Sequence, residues 1–416
     1  HPAVIEASLK QAKSDDSMVL IESTSNQVNQ DGGYTGMTPR DFVSYVGQIA
    51  ETVGYPLNRI LFGGDHLGPN PWSSQSAEEA MANARKLVQH YAEAGFQKIH
   101  LDASMYCADD VGDRAKPLPD EVVATRAAEL CGVVEKTWKT SHRSTPPPVY
   151  IIGTEVPVPG GAQEAEDHVE VTATADALRT IEVTRDRFLR SGLEDAWSRV
   201  CGLVVQPGVE FGDDQVFDYQ PDAAAQLSAA IAPYPGMVYE AHSTDYQTEE
   251  GLENLVRDHF CILKVGPWLT YAYREALFAL EAIEREVAPL HPGSTELSCL
   301  SEALDTVMEA DPQFWKKYYP GDAGEQAFKR KYSYSDRSRY YWPDARLQEA
   351  CSRLFANLRS WGIPPSVLSQ FMPVKYRQVR EGLVTADPAD LALARVRDVI
   401  AMYARACGMA KDRPAC

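Results

Sequence analysis

Residues 60–72 read ILFGGDHLGPNPW, and this stretch decides the fold. The apolar residues 60–62 predict a buried strand, which ends in the polar pair Asp65 and His66 before a Gly/Pro loop that cannot continue a regular ladder. Both side chains are therefore expected at the carboxyl end of a strand, where α/β barrels carry their active sites. A capping aspartate beside a core histidine would explain the same pair, and recurrence of the pattern decides between the two interpretations.

The composition predicts a soluble globular protein. Of its 416 residues, 44% are hydrophobic and 24% are charged, with neither a membrane span nor a signal peptide evident. The net charge of -19 disfavours binding to nucleic acid or to an anionic membrane surface, and an anionic metabolite would need a local basic pocket. Eight cysteines without CxxC spacing favour a reducing cytoplasm. Because the chain begins with His1 rather than Met, it is expected to have lost its start.

Strand-like and helix-like stretches alternate through the first two thirds of the chain. Seven strands are predicted, at residues 18–24, 60–65, 98–104, 149–155, 200–206, 237–242 and 261–265. A helical stretch follows each strand, and an unpaired helix precedes the first. A closed parallel barrel has eight strands, so the prediction for residues 1–292 is a (β/α)8 TIM barrel whose first strand is missing from this chain. A doubly wound open sheet also accommodates seven strands, but polar residues at nearly every strand end favour the barrel.

The last third of the chain has a different pattern. Residues 293–416 contain helical windows at 296–309, 322–331, 344–360 and 388–407 without strand periodicity, which predicts a helical C-terminal extension packed on the barrel. Within it, residues 332–343 place Arg337 and Arg339 among hydroxyl and aromatic side chains, a composition suited to phosphate or sugar contact. A solvated loop between helices would have the same composition.

Polar side chains recur at the predicted strand ends. The candidates are Glu22, Asp65, His66, His100, Asp102, Glu155, Gln206, Glu210, Glu240, His242, Asp245 and Lys264. In a parallel barrel these ends meet at one mouth, and histidines with carboxylates from separate strands are ligands for zinc, manganese or a similar divalent ion. His66 and His242 are the most convincing ligands. His100 and Asp102 alternate on one face of their strand, so they could instead be layers of the barrel interior.

Three of these candidates have competing interpretations. Glu155 and Glu210 could each form an ordinary salt bridge. Lys264 lies at a strand end between apolar residues, where it could form a Schiff base with a ketose if burial lowered its pKa. A fixed positive charge for an anionic substrate or a carboxylate is the safer interpretation, and the set of histidines favours metal chemistry.

Six long motifs are similar to those of a known family. They are ESTSNQVNQDGGYTGM (22–37), GGDHLGPNPW (63–72), HLDASM (100–105), GTEVPVPGG (153–161), EAHSTDYQ (240–247) and YSDRSRYYWP (334–343). On these motifs the chain resembles, over essentially its whole length, the GatZ/KbaZ family, whose members are named as a subunit of class II D-tagatose-1,6-bisphosphate aldolase. The resemblance implies a barrel related to the zinc-dependent class II aldolases, with Asp65 and His66 as their Asp-His pair and His242 as a later ligand. Glu210 stands where those aldolases have their middle histidine.

Two functions are consistent with these residues and with the resemblance. The first is a metal-dependent enzyme acting at C3–C4 of a ketohexose or its phosphate, either as a 4-epimerase between fructose and tagatose forms or as an aldolase, with zinc, manganese or nickel as the ion. Its predicted site residues are His66, Glu210 and His242 for the metal, Asp65, Asp102 and Glu155 for catalysis, and Gln206, Lys264, Arg337 and Arg339 for substrate binding. The second is a non-catalytic subunit that stabilises a separate class II aldolase chain. A cytoplasmic homo-oligomer is expected in either case.

Overall fold

Parallel strands form the centre of the molecule. A computed structural model describes residues 1–141, 145–153, 169–293 and 296–410. Its main sheet contains β1 (Val19–Thr24), β2 (Ile60–Leu67), β3 (Lys98–Leu101), β4 (Val149–Ile152), β5 (Val200–Val205), β8 (Val238–Ala241) and β9 (Phe260–Leu263). These strands are parallel and lie side by side in chain order. Two short strands, β6 (Glu210–Phe211) and β7 (Val216–Phe217), form an antiparallel hairpin between β5 and β8.

One helix precedes β1, one follows β9, and the others connect successive strands of this sheet. They are α1 (Pro2–Asp15), α2 (Pro39–Val53), α3 (Ala77–Glu93), α4 (Asp120–Ser141), α5 (Thr174–Arg190), α6 (Glu194–Trp197), α7 (Pro221–Ala230), α8 (Glu249–Arg257) and α9 (Pro267–Val287). Thr38 and Ser76 begin α2 and α3, because each side chain caps its helix in a reciprocal capping box with the acid three residues later. The predicted alternation of seven parallel strands with helices is therefore confirmed.

Contacts between distant strands show that the sheet is curled. In a flat sheet the first and last of seven strands would lie about 29 Å apart, at roughly 4.8 Å per interval. The ammonium group of Lys264, directly after β9, nevertheless forms an ion pair with Glu22 of β1. Lys98 of β3 bridges Glu22 and Glu240 of β8, with Nζ 2.6 Å from an oxygen of each. The predicted parallel architecture with converging strand ends is confirmed, while closure into an eight-stranded barrel stays a prediction.

The described residues after 296 form helices without a strand, as predicted. They are α10 (Leu300–Ala310), α11 (Ala323–Tyr332), α12 (Ala345–Trp361), α13 (Pro365–Phe371), α14 (Pro373–Arg380) and α15 (Pro388–Ala406). α13 and α14 were not predicted, because Pro365 and Pro373 resemble helix breakers in sequence but occupy first helical turns, where proline is tolerated. Within the described ranges, no helix combines the length and apolar character needed to cross a bilayer.

Two apolar cores hold the molecule together. The larger lies between the sheet and its surrounding helices, and the smaller lies among α9, α10, α12 and their neighbours. α15 packs on α1, α8 and α9, so the end of the chain returns to the sheet. There the buried hydroxyl of Tyr403 donates a hydrogen bond to the carbonyl of Thr244, with O···O at 2.7 Å, in the loop after β8.

Candidate metal centre

Four side chains meet at the carboxyl end of the sheet. Asp65 and His66 belong to β2, His100 to β3, and His242 directly follows β8; one ligand atom from each lies within 4.8 Å of the others. The ring centroids of His66 and His242, 176 positions apart in sequence, are 5.0 Å apart. Asp65, His100 and His242 are at most 4% exposed. Three imidazoles and one carboxylate form a donor set typical of a divalent transition metal.

A bulge in β2 lets two consecutive residues face this cluster. Successive side chains of a regular strand point to opposite faces, so Asp65 and His66 could not both point inward from one. The register between β2 and β3 shifts between Gly64 and Leu67, and His66 has a left-handed backbone with φ 49°. Such conformations cost free energy and concentrate at functional sites. The predicted strand, residues 60–65, is thus extended to Leu67.

Each histidine of the cluster has a hydrogen-bond partner behind it. Nδ1 of His66 lies 2.8 Å from Oδ2 of Asp102, and Nε2 of His242 lies 3.1 Å from Oε1 of Glu240. Nε2 of His100 donates to the carbonyl of Gly153 at 2.9 Å. Metal-binding histidines usually donate their second ring N–H in this way, which fixes the tautomer. The arrangement thus fits a cation held by the opposite nitrogen of each ring.

His100 provides a separate indication that a cation fits here. Its Nε2 must carry a proton, because the carbonyl of Gly153 can only accept. The lone pair of its Nδ1 accepts the backbone N–H of His66 at 3.2 Å, so a cation bound by this nitrogen would compete with that N–H. Oδ1 of Asp65 lies 2.9 Å from that same nitrogen. A proton on Nδ1 makes this contact a hydrogen bond, and a cation beside both atoms would take the place of that proton.

The charges of the cluster are strongly coupled. Burial opposes ionisation of Asp65, but His66, His242 and His100 outweigh burial and hold the pKa of Asp65 well below its usual range. Burial favours the neutral form of His66, yet Asp65 and Asp102 raise its pKa to about 9. Burial lowers the pKa of His242 and keeps that ring neutral. A metal bound at His66 would displace a proton, because the ligand nitrogen must be deprotonated.

A layer of opposite charges lies directly beneath the histidines. Lys98 is two residues before His100 and Glu240 two residues before His242, so each pair shares one face of its strand. Lys98 Nζ lies 2.6 Å from both Glu22 and Glu240. Burial alone would raise the pKa of Glu240, but Lys98 and the hydrogen bond with His242 lower it to about 2. Glu240 is therefore an ionised acceptor for the His242 ring.

Several predicted residues support the cluster or lie beside it. Asp102 lies behind His66 rather than within the group of four. Lys264 Nζ lies 2.8 Å from Oδ2 of Asp65 and also contacts Glu22. Burial lowers the pKa of Lys264 well below its usual range, although Asp65 and Glu22 lie at ion-pair distance from its ammonium group. His100 was considered in sequence but not chosen as a ligand. Its alternation with Asp102 was the available signal.

The remaining predicted residues lie elsewhere or outside the described ranges. Oε1 of Gln206 accepts the backbone N–H groups of Gly208 and Val209 and so shapes the loop after β5. Glu210 belongs to the β6–β7 hairpin, where its carboxylate accepts the N–H of Phe211 at 2.9 Å, and the described group of four does not include it. Its role as a ligand stays a prediction. Glu155 lies outside the described residues.

Asp102→Asn is expected to weaken metal binding by about 10- to 100-fold, because the amide cannot stabilise the charge that His66 acquires as a ligand. A competition titration against a coloured chelator measures the affinity. Asp186→Asn is the matched control, since the side chain of Asp186 is 66% exposed on α5 and pairs with Arg190 of the same helix. Equal metal affinity in wild type and Asp102→Asn would show that Asp102 does not position the ligand.

Known proteins with related folds provide a comparison. A crystal structure described as a probable tagatose 6 phosphate kinase from Sinorhizobium meliloti 1021 is 48% identical, covers 98% of each chain, and superposes with a TM-score of 0.88. A fructuronate-tagaturonate epimerase from Cohnella laeviribosi is 11% identical over 98% of this chain and 80% of its own, with a TM-score of 0.49. A fructose-bisphosphate aldolase from Campylobacter jejuni is 11% identical over 87% of this chain and 88% of its own, with a TM-score of 0.38. Neither of these distant likenesses bears on the activity of this chain.

The family of the chain follows from a match along nearly all of its length. The model for "D-tagatose-1,6-bisphosphate aldolase subunit GatZ/KbaZ-like" matches residues 1–408. That range contains all six motifs that suggested the resemblance in sequence, so the resemblance is confirmed. The chain belongs to the GatZ/KbaZ-like family.

Proposed function

We propose that this protein is a metal-dependent enzyme acting at C3–C4 of a ketohexose or a ketohexose phosphate. The reaction is 4-epimerisation between fructose and tagatose forms, or aldol cleavage of the same bond. The observation that carries the proposal is the group Asp65, His66, His100 and His242, whose three imidazoles each have an anchored second nitrogen. The family, which is described as an aldolase subunit, supports a sugar as the substrate bound at this group.

The four grouped residues would hold the ion, with zinc as the first candidate and manganese or nickel as alternatives, since imidazole and carboxylate suit all three. When bound, the metal supplies Lewis-acid polarisation of the carbonyl and hydroxyl oxygens of the substrate. The charges around the site are paired: Asp65 and Glu22 lie against Lys264, and Glu240 lies against Lys98.

Proton transfer at the C4 hydroxyl needs a carboxylate outside the ion's immediate partners. A general base works best when its pKa lies near the working pH, so Asp65 and Asp102, whose pKa values are lowered, are weak bases. Glu155 follows two positions after Gly153, whose carbonyl accepts from His100 at the cluster. Glu155, which was predicted from sequence as a catalytic carboxylate, is therefore the base that we propose for this proton, while Asp65 binds the cation and Asp102 orients His66.

A second candidate function is a subunit that stabilises a separate class II aldolase chain without turnover. The word "subunit" in the family description favours it. The complete set of donors with their orienting partners favours the enzyme, because a purely structural role needs no cluster of three anchored imidazoles. An inherited metal site without turnover would be consistent with both.

Removal of the metal separates these candidates. Purified protein incubated with fructose, tagatose or their 6-phosphates is expected to interconvert the two ketoses, to lose this activity on chelation, and to regain it when one divalent ion is restored. Ketose products and released trioses are measured by chromatography. Inertness with every metal tested, together with stabilisation of an added class II aldolase chain, would establish the second function instead.

A further inference from the structure

A segment of the C-terminal extension crosses the carboxyl end of the sheet. This segment, residues 332–341, is here named the crossing segment. The hydroxyl of Tyr246, in the loop after β8, donates to the carbonyl of Tyr334 at 2.6 Å. Ser333 donates to Asp213 of the β6–β7 hairpin at 2.9 Å. Since both partners belong to loops at the carboxyl edge of the sheet, the crossing segment lies at the same edge as the histidine cluster.

The crossing segment presents a cationic and aromatic cluster to the loop after β1. The rings of Tyr340 and Tyr34 meet edge to face with centroids 5.1 Å apart. The guanidinium carbon of Arg339 lies 4.6 Å from the centroid of Tyr340, and that of Arg337 lies 3.4 Å from the centroid of Tyr318. Tyr34 is 44% exposed whereas Arg337 is buried, so the exposed side chain of the cluster is that of Tyr34. Two arginines therefore lie beside an accessible phenol.

Arg339 is held in place by neutral groups. Its guanidinium donates to the backbone carbonyls of Ser335 and Asp336 and to the hydroxyl of Tyr340. Among the described residues, Arg339 forms no ion pair with a carboxylate, although the whole chain carries a net charge of -19. Burial and the nearby charge of Arg339 together lower the pKa of Arg337. The site thus concentrates positive charge, and an anionic ligand would relieve the repulsion.

The backbone that carries these arginines is pre-organised. Asp336 has a left-handed conformation with φ 41° and begins the short 3-10 helix Arg337–Tyr340. Its carboxylate accepts the hydroxyls of Thr270 and Ser338 and faces Arg274 at 3.9 Å. A guanidinium on a fixed backbone loses less entropy on binding than one on a mobile loop. The arrangement is typical of a built binding site rather than of a solvated interhelix loop.

The charge of Arg339 also acts on Asp245, in the loop after β8. Burial raises the pKa of Asp245 to about 6, and the charge of Arg339 opposes this rise. Asp245 follows three positions after His242 and accepts N–H groups at the start of α9, 3.0 Å from Gly266 N and 2.8 Å from Trp268 N. The loop after β8 therefore begins at the histidine cluster and leads to the surroundings of Arg339.

We propose that Arg339, with Arg337 and the phenol of Tyr34 beside it, binds the oxyanion at the far end of an anionic ketose. The guanidinium fork matches a phosphoryl or carboxylate group and donates hydrogen bonds that are stronger than neutral ones. The ketose part of this inference rests on the proposed function, whereas recognition of an oxyanion does not.

Binding measurements with four probes test the site. Dissociation constants for inorganic phosphate, fructose 6-phosphate, a ketohexuronate and fructose are measured by calorimetry on wild type and Arg339→Gln. Loss of one charge-assisted pair is expected to weaken phosphate and fructose 6-phosphate binding by about 10- to 100-fold, with fructose binding unchanged. The dissociation constant of the ketohexuronate shows whether a carboxylate binds at the same site as phosphate. Arg339→Lys keeps the positive charge but not the forked guanidinium, so its phosphate affinity is expected to fall less than that of Arg339→Gln.

The matched control is Arg190→Gln, because Arg190 lies on α5 with its side chain 73% exposed. Equal weakening in this control, unchanged phosphate binding in Arg339→Gln, or an equal loss of fructose affinity would each overturn the inference. Thermal unfolding verifies that both variants are folded. Turnover by the wild-type enzyme decides the proposed function separately. If the protein binds phosphate through Arg339 but converts no ketose, the oxyanion site is supported and the proposed function is rejected.

Discussion

Replacing His66 with alanine is expected to reduce metal occupancy to background and to lower turnover by at least about 1000-fold, equivalent to roughly 4 kcal/mol of transition-state stabilisation. His66 is central to the cluster, because its ring lies 5.0 Å from both His100 and His242 and its Nδ1 is anchored on Asp102. Its removal takes away a ligand and leaves the buried carboxylate of Asp102 without its imidazole. Mass-spectrometric metal analysis and the ketose assay measure the two effects.

Two further variants make this experiment specific. His90→Ala removes an exposed histidine at the end of α3 and is expected to retain full metal content. His66→Asn separates loss of the ligand from backbone strain, because asparagine tolerates the left-handed conformation of residue 66 better than alanine. Stoichiometric metal in both His66 variants would contradict the site. Metal should also stabilise wild type against unfolding and have no such effect on His66→Ala.

The positions of His66 and His242 could be predicted from sequence, whereas the detailed donor set could not. Each follows an apolar run, and the parallel sheet brings their strand ends together. The bulge at His66 depends on a register shift against β3, which is a tertiary property with no local signature. His100 could not be separated from the barrel interior by alternation alone, because interior and site residues share one face of a strand. Only the fold shows which layer touches the other histidines.

Contacts between residues that are far apart in sequence could not be predicted either. Glu240 was a candidate from its position in a strand end, but Lys98 was not singled out, because its two partners lie on strands that meet only when the sheet curls. The signal that could have found it is a lysine alternating with His100 in an apolar strand. Similarly, nothing local indicated that the crossing segment would reach Tyr34.

Lys98→Met is expected to lower the free energy of unfolding by about 3–5 kcal/mol, because the fully buried carboxylate of Glu240 loses the ammonium that lies 2.6 Å from it, and Glu22 keeps only its pair with Lys264. Without it, the pKa of Glu240 should rise, because burial then acts with less opposition, and Glu240 would take up a proton on folding. The folded state then binds more protons than the unfolded state, so the stability of the variant falls as pH rises. Urea denaturation at about pH 8 and about pH 5 should show a smaller deficit at the lower pH.

A matched exposed lysine and a second-site change test this explanation. Lys139→Met removes a half-exposed ion pair with Glu135 on α4 and should cost at most about 1 kcal/mol. Adding Glu22→Gln to Lys98→Met removes one uncompensated charge and should recover part of the loss, as a coupling between neighbours. If the double variant is no more stable than Lys98→Met, the loss comes from packing and not from charge. Glu240 would then stay ionised beneath His242 without Lys98. The histidine cluster and the layer of charged residues beneath it would in that case act independently.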